Sequence, residues 1–376
     1  MNFQLISKGF YSIVLAVALN ISSPVMGNEK LKIFILAGQS NMVGHADAHT
    51  IATLFNSGSE RDERLTKLVF KEDSGLSKKV LEQQLSRAKK IDVLTGGISN
   101  DKIKNLPEGD EKKALEEKVK KHKVGHDAYL AKVTSSCIVS DRVYINSIAD
   151  GNVKSGKLGV GYGGGKNKLG PEYGFGLSIA EKIKGPILLI KTSWGGKSIN
   201  YDFRPPSVGE YQLNEKQKAD AKADQIRKNA SLNYRMMNEA IAKVLANLKD
   251  NHPDYNPNIG HEMAGFVWFQ GFNDQFSPEF RDNYKKNMIA FIKDIRKEYK
   301  TPKMPFVIGV LGTGRTAEKV GENKVSLGQR EAAKAPEFKG NVLSVESYQD
   351  YSLFSYEVYE RGWAKHFHEW VTVGSD

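Results

Sequence analysis

Five short apolar runs constrain the fold of this chain more than any other feature of its sequence. Each run is rich in Ile, Val, Leu or Phe, lacks polar alternation and is followed by Gly, Ser or Asn. Such runs are typical of β-strands buried on both faces of a parallel sheet. The five predicted strands cover Lys32–Ala37, Pro186–Lys191, Gly265–Phe269, Pro305–Val310 and Asn341–Val345.

Segments with apolar residues at helical spacing lie between the later strands. They cover Ala219–Leu248, Pro278–Tyr299 and Ser326–Ala335. Strands that alternate with helices indicate parallel β-α-β units, in which helices cover both faces of the sheet. We therefore predict an α/β fold with a parallel five-stranded sheet between two layers of helices.

Residues from about 60 to 170 depart from this alternation. They are rich in charged residues, contain two charged helical patterns (Leu76–Ile91 and Asp110–Lys123) and end in a glycine-rich loop, Gly159–Gly165. No apolar pattern strong enough for a core of their own is evident in them. We interpret this segment as a charged helical insertion after the first strand and not as a separate domain.

The N-terminus has the pattern of a signal peptide. Lys8 precedes an apolar run, Gly9–Ile21, and Val25 and Gly27 occupy the −3 and −1 positions of a cleavage site. The alternative is a buried first helix. We predict that residues 1–27 are a signal peptide, that 28–376 form the functional domain, and that the protein is secreted or periplasmic. The run is too short to span a bilayer, and no later run reaches about 18 apolar residues, so we expect no membrane span.

Composition excludes several classes of protein. Hydrophobic residues make up 40% of the 376, which is enough for a large core, and the single cysteine, Cys137, excludes an intrachain disulfide and a cysteine-based zinc site. The net charge of +11 favours an acidic partner, for which an acidic polysaccharide is one hypothesis. Because lysines and glutamates are intermixed, we expect solvated charged faces and no nucleic-acid binding.

A serine follows the first predicted strand directly, in Gly38-Gln39-Ser40-Asn41-Met42. A side chain at this point projects over the carboxyl edge of the sheet, where open α/β sheets bind ligands. Backbone N–H groups at the start of a helix can also stabilise an oxyanion there. Ser40 is therefore a candidate nucleophile, and the alternative is an ordinary helix N-cap.

Two further polar elements follow the second and third strands. One is Thr192–Ile199, in which a glycine N–H can serve as an oxyanion donor. A phosphate loop is a poor alternative for this segment, because Lys191 stands where that motif has its first glycine. The other is Trp268–Asp274, in which Asn273 offers a side-chain N–H donor. Since all three elements follow predicted parallel strands, we expect them to meet at one edge of the sheet.

These three segments resemble blocks one, two and three of the SGNH hydrolases. The form Gly38-Gln39-Ser40-Asn41-Met42 is similar to sialate O-acetylesterase-like proteins and to carbohydrate esterase family six. The resemblance implies a flavodoxin-like three-layer α/β/α fold and a serine esterase that removes acetyl groups from a carbohydrate without a metal or organic cofactor. It implies that Ser40 is the nucleophile and that the Ser40 N–H, the Gly196 N–H and the Asn273 side chain form the oxyanion hole, with Gly195 as the alternative to Gly196.

Neighbouring residues of these blocks are candidates for substrate binding. They are Gln39, Trp194, Gln270 and Asp274. Of these, Trp194 is the candidate for stacking on a sugar ring. Phe272 departs from the closest relatives, which often have Glu after the glycine of the third block, so the substrate cannot be carried over from them.

The general base is the larger departure from the family pattern. The family has Asp-x-x-His after the last strand, and no such motif occurs between Val345 and Asp376. His366 and His368 are the candidates there, with surface positions as the alternative. We expect instead that the C-terminal catalytic block lies beyond Asp376 or has been lost. In the latter case the protein is a non-catalytic carbohydrate-binding protein on a decayed esterase fold.

One further polar cluster follows the first block. His45, Asp47 and His49 stand at two-residue spacing, which is compatible with metal ligands. No other ligand set accompanies them in the sequence. We therefore interpret the segment as a solvated or substrate-lining loop and expect no metal site.

Overall fold

The computed structural model of the protein describes residues 29–83, 100–314 and 316–350. The predicted signal peptide, His366 and His368 lie outside the described residues. The strands are β1 Leu31–Gly38, β2 Ala46–Asp47, β3 Val143–Ala149, β4 Asn152–Lys157, β5 Lys168–Leu169, β6 Ile187–Ser193, β7 His261–Phe269, β8 Phe306–Val310 and β9 Val342–Glu346. The five predicted strands are confirmed as β1, β6, β7, β8 and β9.

Helix occupies most positions of four predicted segments, 110–123, 219–248, 278–299 and 326–335, whereas the helices Glu60–Val69 and Pro171–Lys182 were not predicted. The helices are α1 Ser40–Val43, α2 Leu54–Ser57, α3 Glu60–Val69, α4 Asn100–Lys104, α5 Asp110–Ser136, α6 Pro171–Lys182, α7 Glu215–Lys218, α8 Ala223–Asn229, α9 Leu232–Leu245, α10 Leu248–Asn251, α11 Pro278–Glu298, α12 Ala317–Glu322 and α13 Lys324–Ala333. The predicted helix 219–248 is divided, because Ser231 between α8 and α9 has the left-handed φ of 60°. The predicted helix 110–123 is the first half of α5, and residues 84–91 of the predicted helix 76–91 lie outside the described part.

The two faces of β1 show why the fold has three layers. Ile33 and Ile35 point to one side, into a core that includes Phe291 of α11. Phe34 and Leu36 point to the other, into a core with Tyr173 of α6. Because alternate residues of one strand are buried in different cores, helices must cover both faces of the sheet. The predicted α/β fold class is therefore confirmed.

The number of strands was predicted incorrectly. In the described residues the main sheet has seven strands in the order β4-β3-β6-β1-β7-β8-β9, with β3 and β4 antiparallel and the other pairs parallel. The hairpin β3–β4 belongs to the segment predicted as a helical insertion. It escaped prediction because burial alternates along β3 and because β4 is a largely exposed edge strand, so neither has the continuous apolar run of a central strand.

The topology places three loops at one edge of the sheet. β1 lies in parallel between β6 and β7, and Gly38 pairs in register with both Ser193 and Phe269. The loops that follow these strands therefore start side by side. Among the described residues, no helix is long and apolar enough to cross a membrane.

Candidate active site

Ser40 lies at the start of α1, two residues beyond the end of β1. Gly38 allows the chain to turn at this point, because its φ is 157° and a Cβ there would lie 2.1 Å from the carbonyl oxygen of Phe269. The Ser40 side chain is partly exposed, and its N–H is one of the groups that the first turn of a helix leaves without an intrahelical acceptor. The local fold therefore presents a serine hydroxyl at the carboxyl edge of the sheet.

The buried side chain of Gln39 connects the first loop to the third. Its Oε1 accepts hydrogen bonds from Gln270 Nε2 (3.1 Å), from the Gly271 N–H (3.1 Å) and from the Asn273 N–H (3.3 Å). Its Nε2 donates to Asn273 Oδ1 at 3.2 Å and lies 3.4 Å from Ser40 Oγ. One amide thus holds the serine and the asparagine in fixed relative positions.

The amide of Asn273 connects the third loop to the second. Its Nδ2 donates to the carbonyl oxygen of Gly196 at 2.9 Å, while its Oδ1 accepts from Gln39. These two hydrogen bonds define which end of the amide is the donor. Gly196 itself has a φ of 69°, the left-handed region that favours glycine. The structure therefore brings Ser40, Gly196 and Asn273 together, as the sequence predicts.

The two glycines of the second loop differ in their hydrogen bonds. The Gly195 N–H donates to Asp150 Oδ1 at 2.7 Å. A Cβ at Gly195 would lie 3.9 Å from the Cβ of Ser40, so this glycine lies against the serine. Because the Asp150 carboxylate already takes the Gly195 N–H, the geometry favours Gly196 over Gly195 as the donor to an oxyanion.

A buried carboxyl group anchors the turn that carries Asn273. Asp274 is fully buried and accepts from the backbone N–H groups of Ile199 (3.1 Å) and Asn200 (3.2 Å). It also accepts from Gln270 Nε2, which donates in addition to the carbonyl oxygen of Lys197 at 2.8 Å. Burial raises the pKa of Asp274 to about 7, although the hydrogen bonds that it accepts act in the opposite direction. Asp274 thereby fixes the third loop to the chain that follows the second.

Burial separates the candidate substrate-binding residues into two groups. Gln39 and Gln270 are each 1% exposed and Asp274 is 0% exposed. Their hydrogen bonds run between the loops, so their positions suit holding the site together more than contacting a substrate. Trp194 is partly exposed and packs near Phe203, with 6.1 Å between the ring centroids.

An exposed aromatic residue that the sequence analysis did not single out lies in the third loop. Phe276 is 69% exposed and contacts Phe272 edge-on, with 5.1 Å between the ring centroids. Asn273 and Phe276 stand three residues apart in one 3₁₀ turn, Phe272–Phe276. Side chains at that spacing lie on the same face of such a turn. Phe276 therefore lies on the same face of this turn as Asn273.

The segment after α1 contains the polar cluster that sequence spacing made compatible with a metal. Asp47 forms an ion pair with Lys168 at 2.6 Å, His49 is buried, and Nε2 of His45 lies 4.0 Å from Asp150 Oδ2. Asp47 and His45 thus pair with different residues, and no group of ligands suited to a metal ion occurs in the described part of the chain.

A buried ion pair connects the first loop to β6 of the sheet. Lys191 and Glu172 have fully buried side chains, and Lys191 Nζ donates to Glu172 Oε2 at 2.6 Å. The same ammonium donates to the carbonyl oxygens of Val43 (2.9 Å) and Tyr162 (3.0 Å). Val43 is the last residue of α1, so Lys191 ties the helix that begins with Ser40 to the sheet. Burial lowers the pKa of Lys191, whereas Glu172 acts to raise it.

Comparison with known proteins identifies the family of this chain. The sequence model of the family described as carbohydrate esterase, sialic acid-specific acetylesterase, matches residues 152–348, which include Gly196 and Asn273. The match spans more than half of the chain. The chain belongs to this carbohydrate esterase family.

Solved structures with detectable similarity include three proteins. A protein from Arabidopsis thaliana is 17% identical, with a TM-score of 0.40, over 85% of this chain and 86% of that one. A carbohydrate acetylesterase from Xanthomonas citri is 12% identical, with a TM-score of 0.39, over 84% of this chain and 49% of that one. The protein NanS is 12% identical, with a TM-score of 0.33, over 55% and 68%. No curated protein matches the sequence.

Proposed function

We propose that the protein is a serine esterase that hydrolyses O-acetyl esters of a carbohydrate through an acyl-enzyme on Ser40. The observation that carries this proposal is the convergence of three loops on the serine. Gln39 connects Ser40 to Asn273, and Asn273 in turn donates to the carbonyl oxygen of Gly196. Membership of the carbohydrate esterase family supports an acetylated carbohydrate as the substrate.

The reaction follows from the placement of these groups. Ser40 Oγ attacks the acyl carbon, and the carbonyl oxygen gains negative charge. The Ser40 N–H, the Gly196 N–H and Asn273 Nδ2 stabilise that charge. A histidine takes the serine proton and passes it to the departing sugar hydroxyl, and water then releases acetate from the serine. The candidates for this histidine remain His366 and His368, outside the described residues.

The substrate contacts come from the exposed aromatic groups around the site. Trp194 in the second loop and Phe276 in the third present ring surfaces suited to the apolar face of a sugar. The net charge of +11 additionally favours an acidic polysaccharide as the carrier of the ester. Residues 1–27 form the signal peptide in this proposal, and the enzyme acts in the periplasm or outside the cell.

Acetate release from defined esters tests the proposal. The full-length protein is incubated with an O-acetylated sialic acid, with an O-acetylated neutral sugar and with 4-nitrophenyl acetate. We expect acetate release that Ser40→Ala abolishes, while Ser207→Ala, which changes an exposed serine outside the three loops, leaves the rate unchanged. Carbohydrate binding without hydrolysis by the unmodified protein would show instead a binding protein on an esterase fold.

A further inference from the structure

Asp150 lies at the tip of the hairpin β3–β4. Its φ of 53° lies in the left-handed region, which aspartate adopts in two-residue Asp-Gly hairpin turns. Its backbone N–H donates to the carbonyl oxygen of Ser193 at 2.9 Å, at the end of β6. Asp150 is therefore held against the start of the second loop by its own main chain.

The side chain of Asp150 also contacts the second loop. Its Oδ1 accepts a hydrogen bond from the Gly195 N–H at 2.7 Å, so the main chain of Asp150 binds Ser193 and its side chain binds Gly195. Gly195 lies close to both the carboxylate and the serine, since a Cβ on it would be 3.5 Å from Asp150 Oδ2 and 3.9 Å from Ser40 Cβ. This contact fixes the Trp194–Gly195 peptide, which directly precedes the peptide that carries the Gly196 N–H.

The next N–H along the chain has no such partner. In the part of the chain that the structure describes, no backbone carbonyl accepts the Gly196 N–H, while the Gly196 carbonyl accepts a hydrogen bond from Asn273. The loop is thus restrained on both sides of one free N–H group. A preorganised donor of this kind stabilises charge without rearranging during the reaction.

We propose that Asp150 is a positioning residue for the oxyanion hole: its carboxylate holds the Trp194–Gly195 peptide, Asn273 holds the carbonyl of Gly196, and the Gly195–Gly196 peptide between them is thereby oriented so that the Gly196 N–H faces the developing charge. This inference rests on the proposed esterase function. It also assigns a role to the hairpin β3–β4, which lies within the segment that the sequence predicts to be an insertion. The second carboxylate oxygen faces His45 at 4.0 Å, so a role through the charge of that histidine is the competing account.

Two substitutions at Asp150 separate these accounts. Asp150→Gly removes the acceptor and relaxes the backbone, because glycine tolerates a positive φ, so the fold should be retained. Asp150→Asn keeps an acceptor oxygen and also tolerates this conformation, but it removes the charge. Asp141→Asn serves as the matched control, since Asp141 pairs with Lys157 of β4.

Activity and hydrogen exchange are measured on the full-length proteins. For Asp150→Gly we expect kcat to fall about tenfold or more, with KM nearly unchanged, because a small displacement of the donor is sufficient for such a loss. Amide hydrogen exchange in residues 193–197 should also become faster. Asp150→Asn should restore both properties, and Asp141→Asn should match the unmodified protein.

Three results would overturn this inference. The first is wild-type kcat in Asp150→Gly, and the second is unchanged exchange at residues 193–197. The third is an Asp150→Asn variant as impaired as Asp150→Gly, which would assign the effect to charge. If the unmodified protein releases no acetate, the proposed function fails, while the exchange comparison still decides whether Asp150 orders the loop.

Discussion

The side-chain amide of Gln39 donates a hydrogen bond to Oδ1 of Asn273 at 3.2 Å, across 234 positions of sequence. The same side chain accepts the backbone N–H of Asn273, so the residue is held at two points. Asn273 consequently has one amide orientation, with Nδ2 on the side of Gly196. The orientation of the Asn273 donor thus depends on Gln39, a buried residue that has little access to a substrate.

Replacing Gln39 with methionine should impair both stability and catalysis. Methionine has a similar length but leaves the N–H groups of Gly271 and Asn273 without their acceptor, which costs about 1–3 kcal/mol for buried groups. The turn that carries Asn273 should then lose its fixed position, so kcat should fall. Urea unfolding and initial rates with 4-nitrophenyl acetate measure the two effects. Gln225→Met changes an exposed helical residue and should alter neither the stability nor the rate. If the Gln39 and Gln225 variants had the same stability and the same rate, the role of Gln39 would be contradicted.

Removing the amide of Asn273 should affect the transition state more than substrate binding. In Asn273→Ala, kcat should fall about 10²- to 10³-fold, the usual effect of losing one oxyanion donor, while KM changes little. Steady-state kinetics on an acetylated sugar measure the two parameters. A variant with an unchanged kcat and a raised KM would instead place Asn273 in substrate binding.

The buried ion pair beneath α1 should be a major determinant of stability. Lys191→Met leaves the buried Glu172 carboxyl without its cation, which typically costs about 3–5 kcal/mol. Adding Glu172→Gln should recover part of the loss, because the unpaired buried charge is then removed. The measurement is the free energy of unfolding in urea.

An exposed ion pair offers the matched control for this experiment. Lys324 pairs with Asp282 at 3.0 Å, and both side chains are more than half exposed. Surface pairs contribute about 0–1 kcal/mol, so Lys324→Met should change stability little. If Lys191→Met were no more destabilising than Lys324→Met, the claim that Lys191 stabilises the position of α1 would be wrong.

The buried Asp274 should make stability depend on pH. Its pKa is about 7 in the folded protein, whereas a carboxyl group in the unfolded chain titrates near 3.9. The native state therefore binds the proton more tightly, and the stabilisation is fully present below about pH 4 and is lost as the pH rises through about 7. Between these values the free energy of unfolding should fall by up to about 1.4 kcal/mol per pH unit from this group alone.

Asp274→Asn should remove that contribution. Urea unfolding of the variant from pH 4 to 8 should show a weaker decline with rising pH than the unmodified protein shows. Asp220→Asn changes an exposed aspartate and should retain the original slope. Superimposable pH profiles of the Asp274 variant and the unmodified protein would refute the raised pKa of Asp274.

The sequence predicts the central strands because both faces of each are buried. Lys32–Ala37 is apolar at nearly every position, since its residues enter two different cores. The hairpin β3–β4 carries no such signal. Three of the seven residues of β3 are only partly buried and β4 lies at the sheet edge, so neither strand has the continuous apolar run of a central strand.

The sequence also predicts which loops converge at the candidate site, since each follows the carboxyl end of a parallel strand. The roles of the supporting residues depend on contacts between distant positions. Lys191 is visible as a lone cation at the end of an apolar run, but its partner Glu172 comes from another element. In the sequence, Asp150 and Gly151 have the pattern of an ordinary Asp-Gly turn. Only the register of β3 against β6 brings Asp150 to Gly195.

Covalent labelling of Ser40 tests the central claim most directly. The full-length protein is incubated with a serine-reactive phosphonate ester, digested and mapped by mass spectrometry. The account predicts a single modified peptide, with the adduct on Ser40, and no labelling of the Ser40→Ala variant. An adduct on another serine, or an unmodified Ser40 in a protein that still releases acetate, would contradict it.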